Sequence, residues 1–225
     1  MKKVSIALAA MAVAGSAGAA AVAPSSYSMA NGSGVVSGGQ FNYWDAGYTG
    51  NGATTTDGAA LSGGLGDLTD GVIAADNWFD VENAAGTGPY VGWTSGLTPN
   101  PVVTFFFGSP VDIDLIRVHA DDSGGNGGVD LPASVLITWA GGSLNFAVVD
   151  PDPTSTAPVW LDFGGLGIGQ VSSLSLQFFN SNGWVFIDEV GFFADDGNAV
   201  PLPATLGLVL LGLAAARPRR GAKPR

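Results

Sequence analysis

The chain has 225 residues, 19 Asp and Glu against 8 Lys and Arg, and no cysteine. Without cysteine, disulfides, thiolate–metal sites and cysteine nucleophiles are excluded. All the acids lie between Asp45 and Asp196, where Arg117 is the lone base, so this body repels nucleic acid and attracts divalent cations.

Glycine is abundant at 35 residues, yet 46% of the chain is hydrophobic. That combination argues for short strands joined by tight turns and against disorder. Seventeen of the acids are Asp, a residue that favours turns and serves as a hard-oxygen ligand for calcium.

In chain order, residues 1–23 read as a signal peptide. Lys2 and Lys3 precede an apolar stretch over 4–14, too short to span a bilayer with ease. Ala17-Gly18-Ala19 supplies a small-x-small cleavage pattern, which places the cut after Ala19, with Ala21 as the alternative. Residues 24–60 form a Gly/Ser/Thr-rich segment in which short strands are expected at Val35–Val36 and Gln40–Trp44. From residue 61 to 194 the pattern sharpens. Strands are expected over 101–107, closed by Gly108-Ser109-Pro110, and over 113–119. Further strands follow over 133–140 and 143–149 about the turn Gly141-Gly142, then over 158–163, 171–179 and 184–193. In 171–179, Leu174, Leu176 and Phe178 share one face and Ser173, Ser175 and Gln177 the other. The expected fold is all-β, an antiparallel jelly-roll-like β-sandwich, with a signal helix before it and a hydrophobic helix after it.

Residues 195–199 read as a linker to a tail over 200–225. Val200-Pro201-Leu202-Pro203-Ala204 precedes an apolar run to Ala216 and an Arg-rich end, which the positive-inside rule holds on the cytoplasmic side. Motif, apolar stretch and basic end together resemble the VPLPA variety of the PEP-CTERM sorting signals. The resemblance implies an exported protein handled by the secretion machinery and an exosortase, and held in the membrane through its tail before processing. A plain C-terminal membrane anchor is the alternative.

The body carries a second resemblance. Leu68-Thr69-Asp70-Gly71, Trp78, Gly92-Trp93-Thr94, the run from Val102 to Val111, Ile116-Arg117-Val118-His119, Leu131-Pro132-Ala133-Ser134-Val135 and Trp184-Val185-Phe186-Ile187-Asp188-Glu189-Val190 stand in an order that resembles the discoidin, or coagulation-factor type C, domains and related galactose-binding-like modules. The resemblance implies a jelly-roll sandwich. It also implies a structural calcium tying an early loop to the last strand, here through Asp70 and Glu189. Set against that, Asp70 caps a turn and Glu189 faces solvent.

Sugar sites need an aromatic platform and planar polar groups. The resemblance implies that loops at one end of the sandwich hold the sugar, and the candidates are Trp78, Trp93 and Trp184 with His119, Asp121 and Asn126. Each Trp also reads as a core or rim residue, and His119 as a satisfied strand-end residue. No catalytic residue is assigned. Asp188 and Glu189 are adjacent on a strand, so they point to opposite faces and cannot flank one glycosidic bond. A single histidine excludes a multi-His metal centre. The function that follows is a non-catalytic exported protein that binds extracellular polysaccharide, with calcium support. A structural matrix protein without a sugar ligand and a secreted glycoside hydrolase are the alternatives.

Overall fold

Alternation over 171–179 calls for a strand with one dry face. The computed structural model of the chain provides it, with Leu174, Leu176 and Phe178 buried and their neighbours partly exposed. The structure describes residues 20–34 and 38–194. Outside the described residues lie the predicted signal up to residue 19, the Val35–Val36 strand, the 195–199 linker and the tail with Val200 to Ala204. Both expected terminal helices lie there too.

The named strands are β1 (Ala20–Val22), β2 (Ser26–Ala30), β3 (Ala60–Gly64), β4 (Val91–Thr94), β5 (Val102–Ala120), β6 (Ser134–Trp139), β7 (Gly142–Ala147), β8 (Val159–Phe179) and β9 (Trp184–Ala194). A one-turn helix, α1, spans Trp78–Val81. The named strands all pair antiparallel. Among the described residues no helix is long and apolar enough to cross a membrane.

Two strands are far longer than expected, because the breakers redirect the chain without ending it. Gly108-Ser109-Pro110 was expected to close a strand, but β5 runs straight through it. The segments 158–163 and 171–179 likewise join into β8. The register between β5 and β8 slips at Phe106/Val111, Val111/Ile113 and Ile113/Leu115. On the β8 side of these slips, Gly165, Gly167 and Gln170 have φ of 69°, 56° and 51°, a left-handed backbone that bends and twists a strand. The first half of β5 therefore pairs with β2 and the second half of β8, and its second half pairs with β9 and the first half of β8. One layer is β3-β2-β5-β8-β6-β7. The other is β8-β5-β9, with β1 and β4 in line on the far edge of β9. Both layers contribute to one core cluster that includes Val103, Phe105, Ile137, Phe178, Ile116 and Phe192, and a second cluster among the described residues gathers Tyr43, Ala74, Tyr90, Val129 and Phe186.

The boundary expected at residue 61 is absent from this fold. β2 lies between β3 and β5. Its Tyr27 is fully buried, packs on Tyr48 and Phe105 at 5.1 and 5.8 Å, and donates its hydroxyl proton to the Asp45 carboxylate. Residues 40–44 form no strand; Tyr43 is buried from a loop. The Gly141-Gly142 hairpin turn between β6 and β7 is where the sequence places it.

Candidate functional site

The start of β9, the end of β5 and the loop carrying α1 meet at one end of the sandwich. On β9, at a register slip against β5, Asp188 is fully buried and Glu189 half-buried. Asp188 is fully buried and accepts the Ala74 N–H at 2.7 Å, while both its oxygens face His119 Nδ1 at 2.7 and 2.8 Å. His119 is 4% exposed and packs on Trp160. Asp121 is also fully buried, accepting the Trp78 N–H at 2.6 Å and the Ser123 hydroxyl at 2.6 Å. His119 and Asp121, expected to touch sugar, are thus interior fasteners. His119 Nδ1 and both Asp121 oxygens are spent on holding the loops, because groups buried at strand ends must find partners.

This interior is strongly acidic. Burial pushes the Asp121 carboxyl up to about 6, with Asp122 and Asp188 adding to it. Burial, then Asp121 and Asp188, pushes Glu82 up to about 8. Glu82 Oε1 accepts the Tyr90 N–H at 2.8 Å, but its buried Oε2 has no partner. A carboxyl whose folded pKa is raised binds more protons folded than unfolded. Its contribution is intact below the unfolded value near 4.5 and is lost as pH rises through about 8. The melting temperature is therefore expected to fall from pH 5 to pH 9. Glu82→Gln should flatten that slope, stabilising the protein by about 1–3 kcal/mol at high pH. Calorimetry across this range checks it, and equal slopes in both proteins would refute it.

An aromatic ledge lies over this interior. Trp78 stands edge-on to Phe41 and Phe79 at 5.3 and 5.5 Å and stacks on Phe186, which stacks in turn on Trp184 at 5.6 Å. Trp78 and Trp184 are half-buried, whereas Phe79 is 64% exposed. The turn at 126–128 rests on both indoles. Gly127 has φ 65°, and a Cβ there would lie 2.7 Å from Trp78 Cζ2; one at Gly128 would lie 3.7 Å from Trp184. Only glycine allows that approach, and it sets the exposed Asn126 beside the ledge. Trp93, the third expected platform, is corrected: it is fully buried and donates its indole N–H to Ala30 O at 2.8 Å. Phe41 and Phe79 were missed, although Phe79 directly follows Trp78 on α1.

Asp70 and Glu189 do approach each other. Glu189 Oε2 accepts the Gly71 N–H at 2.9 Å, and Asp70 Oδ1 accepts the Val72 N–H at 2.8 Å. Burial, then Asp70 and Asp188, raises the Glu189 carboxyl to about 7. Nearby Asp67 is raised to about 8 by burial, then by Asp45 and Asp70. Mutually repelling carboxyls without a base suit a cation. Even so, no set of three or more ligating side chains in metal-binding geometry occurs among the described residues, so backbone carbonyls would have to complete a calcium shell.

Fold and loop end together define a β-sandwich that presents an aromatic ledge. The family profile of the discoidin domain-containing receptor 1/2 DS-like domain matches residues 24–142, just over half of the chain. The chain belongs to this family. It is 28% identical over 163 residues to the discoidin domain-containing receptor tyrosine kinase B of Caenorhabditis elegans, a match covering 70% of this chain and 19% of that one. The chain thus spans about a fifth of that relative's length. Among solved structures, an F5/8 type C domain from Bacteroides fragilis aligns at TM-score 0.38 and 13% identity, covering 57% of this chain and 79% of its own. The Streptococcus pneumoniae β-galactosidase BgaA aligns at TM-score 0.41 and 14% identity, covering 57% and 84%.

Proposed function

We propose that the chain is an exported, non-catalytic surface protein that binds extracellular polysaccharide through the ledge of Phe41, Trp78 and Phe79. The observation that carries this reading is the 64% exposure of Phe79 against a half-buried Trp, with an amide side chain, Asn126, alongside. An apolar ring face plus planar polar groups is what a pyranose requires, and an exposed aromatic cluster on a soluble domain marks a binding surface. Calcium, held by Asp70, Glu189 and backbone carbonyls, would neutralise the acids there and pin the loop after Asp67 to β9. Export rests on the signal and on the exosortase-type tail. A signal cut after Ala19 leaves β1 whole, whereas one after Ala21 removes two of its three residues.

A glycan array of the exported chain, with intact mass reading both cuts, tests the proposal. Phe79→Ala should weaken polysaccharide binding up to about tenfold, the loss of one aromatic contact of about 0.5–1.5 kcal/mol, without moving the melting temperature. Chelation should lower the melting temperature. Absence of any glycan binding by the folded chain would leave a structural matrix protein, and an unchanged melting temperature would remove calcium.

A further inference from the structure

A second group of residues, on β8 beside His119, has the chemistry of a sugar site. Among the described residues, the first half of β8, Val159–Ile168, pairs with β5 on one side, while β6 pairs with β8 only over 174–179. The edge left open borders a cavity of about 240 Å³, lined by Phe146, Val148, Pro151, Trp160, Asp162 and Phe163 among others. Phe146 and Phe163 pack together at 5.4 Å, which makes part of the wall apolar.

The polar part is concentrated at Trp160 and Asp162. Arg117 lies over the Trp160 ring, 4.7 Å from its centroid, and its Nε–H donates to Asp162 Oδ1 at 2.7 Å. That is the single hydrogen bond of this pair among the described residues. The terminal guanidinium N–H groups, Asp162 Oδ2 and the Trp160 indole N–H have no protein partner there. Arg117 and Asp162 are 35% and 52% exposed, so these groups are open to solvent. A free carboxylate oxygen beside an indole N–H complements the hydroxyls of a pyranose, while the phenyl wall suits its C–H face. The ion pair neutralises itself inside a body that carries 19 acids and no other base, which disfavours a uronate or phosphate. The size is below the roughly 300–1,000 Å³ of drug-sized pockets and suits one sugar residue.

We infer that the cavity between β8 and residues 146–151 is a second glycan subsite, taking one neutral pyranose on Trp160 and Asp162, with Arg117 orienting Asp162 through its Nε–H. It rests on the glycan-binding reading and shares no residue with the ledge of Phe41, Trp78 and Phe79.

The exported full chain is titrated with galactose, glucose, N-acetylglucosamine and galacturonate, following the indole N–H signals by NMR. A neutral sugar should bind weakly, with Kd on the order of 1 mM. Asp162→Asn, a substitution at an exposed position, should weaken it at least about fivefold with the fold intact. Trp160→Ala should abolish it, and Phe79→Ala should leave it unchanged. Neutral-sugar binding that survives Asp162→Asn, or that is lost with Phe79→Ala alone, overturns the subsite while preserving the ledge. Preference for galacturonate overturns its neutral specificity. No monosaccharide binding by the folded chain overturns the subsite, and polysaccharide binding lost through Phe79 shows that the wider reading stands without it.

Discussion

Asp188→Ala should destabilise the protein by about 2–5 kcal/mol, because it strips the acceptor from two buried donors. Asp188 is fully enclosed and joins three elements: β9 through its own backbone, β5 through His119 Nδ1, and the loop before α1 through the Ala74 N–H. Alanine leaves a buried imidazole and a buried amide without acceptors, each costing about 1–3 kcal/mol. Asp188→Asn keeps the volume and one acceptor oxygen, so its loss should be smaller. For a chain of this size each kcal/mol lowers the melting temperature by about 2–4 °C. Chemical denaturation measures the loss. A change below about 1 kcal/mol in the alanine variant would show that the network is not the fastener described.

Trp93→Ala should cost a comparable amount, about 3–5 kcal/mol, and should act on stability and not on recognition. The indole is completely enclosed, lies near parallel to Phe178 with centroids 6.5 Å apart, and bonds to Ala30 O on β2. Truncation therefore opens a large cavity and orphans a carbonyl. Trp93→Phe should recover most of the loss, short of the hydrogen bond's roughly 1 kcal/mol. A Trp93→Ala protein that melts normally yet loses glycan binding would restore Trp93 as a platform. The opposite pair of results is expected at Phe79, where an exposed ring contributes little to stability.

The strands were legible where period-two patterning was clean, as in 171–179 and in the Gly141-Gly142 hairpin. The breakers were misread. Gly108-Ser109-Pro110 and the glycines of 164–169 look like strand ends, because locally a Gly or Pro ends a ladder. Only pairing with two different neighbours shows that β5 and β8 pass through them and serve both layers. The 24–60 segment was opaque for a related reason. β2 pairs with β3 and β5, at least 30 and 74 residues away, and no local pattern encodes such contacts.

At the loop end, sequence order picked out Trp78, Trp93, Trp184, His119, Asp121 and Asn126 as neighbours of interest but could not say which were wet. Side-chain type is shared by anchors and platforms; burial separates them, and burial is set by packing across the two layers. By itself the sequence determined the all-β class, the acidic body with one internal base and the absence of thiol chemistry, since composition and strand periodicity are local properties. Tertiary structure alone decided that His119 and Asp188 form an interior clasp, that Trp93 is core, that Phe79 is exposed, and that Arg117, Trp160 and Asp162 gather at an open strand edge. Each of those depends on which distant strands are brought side by side.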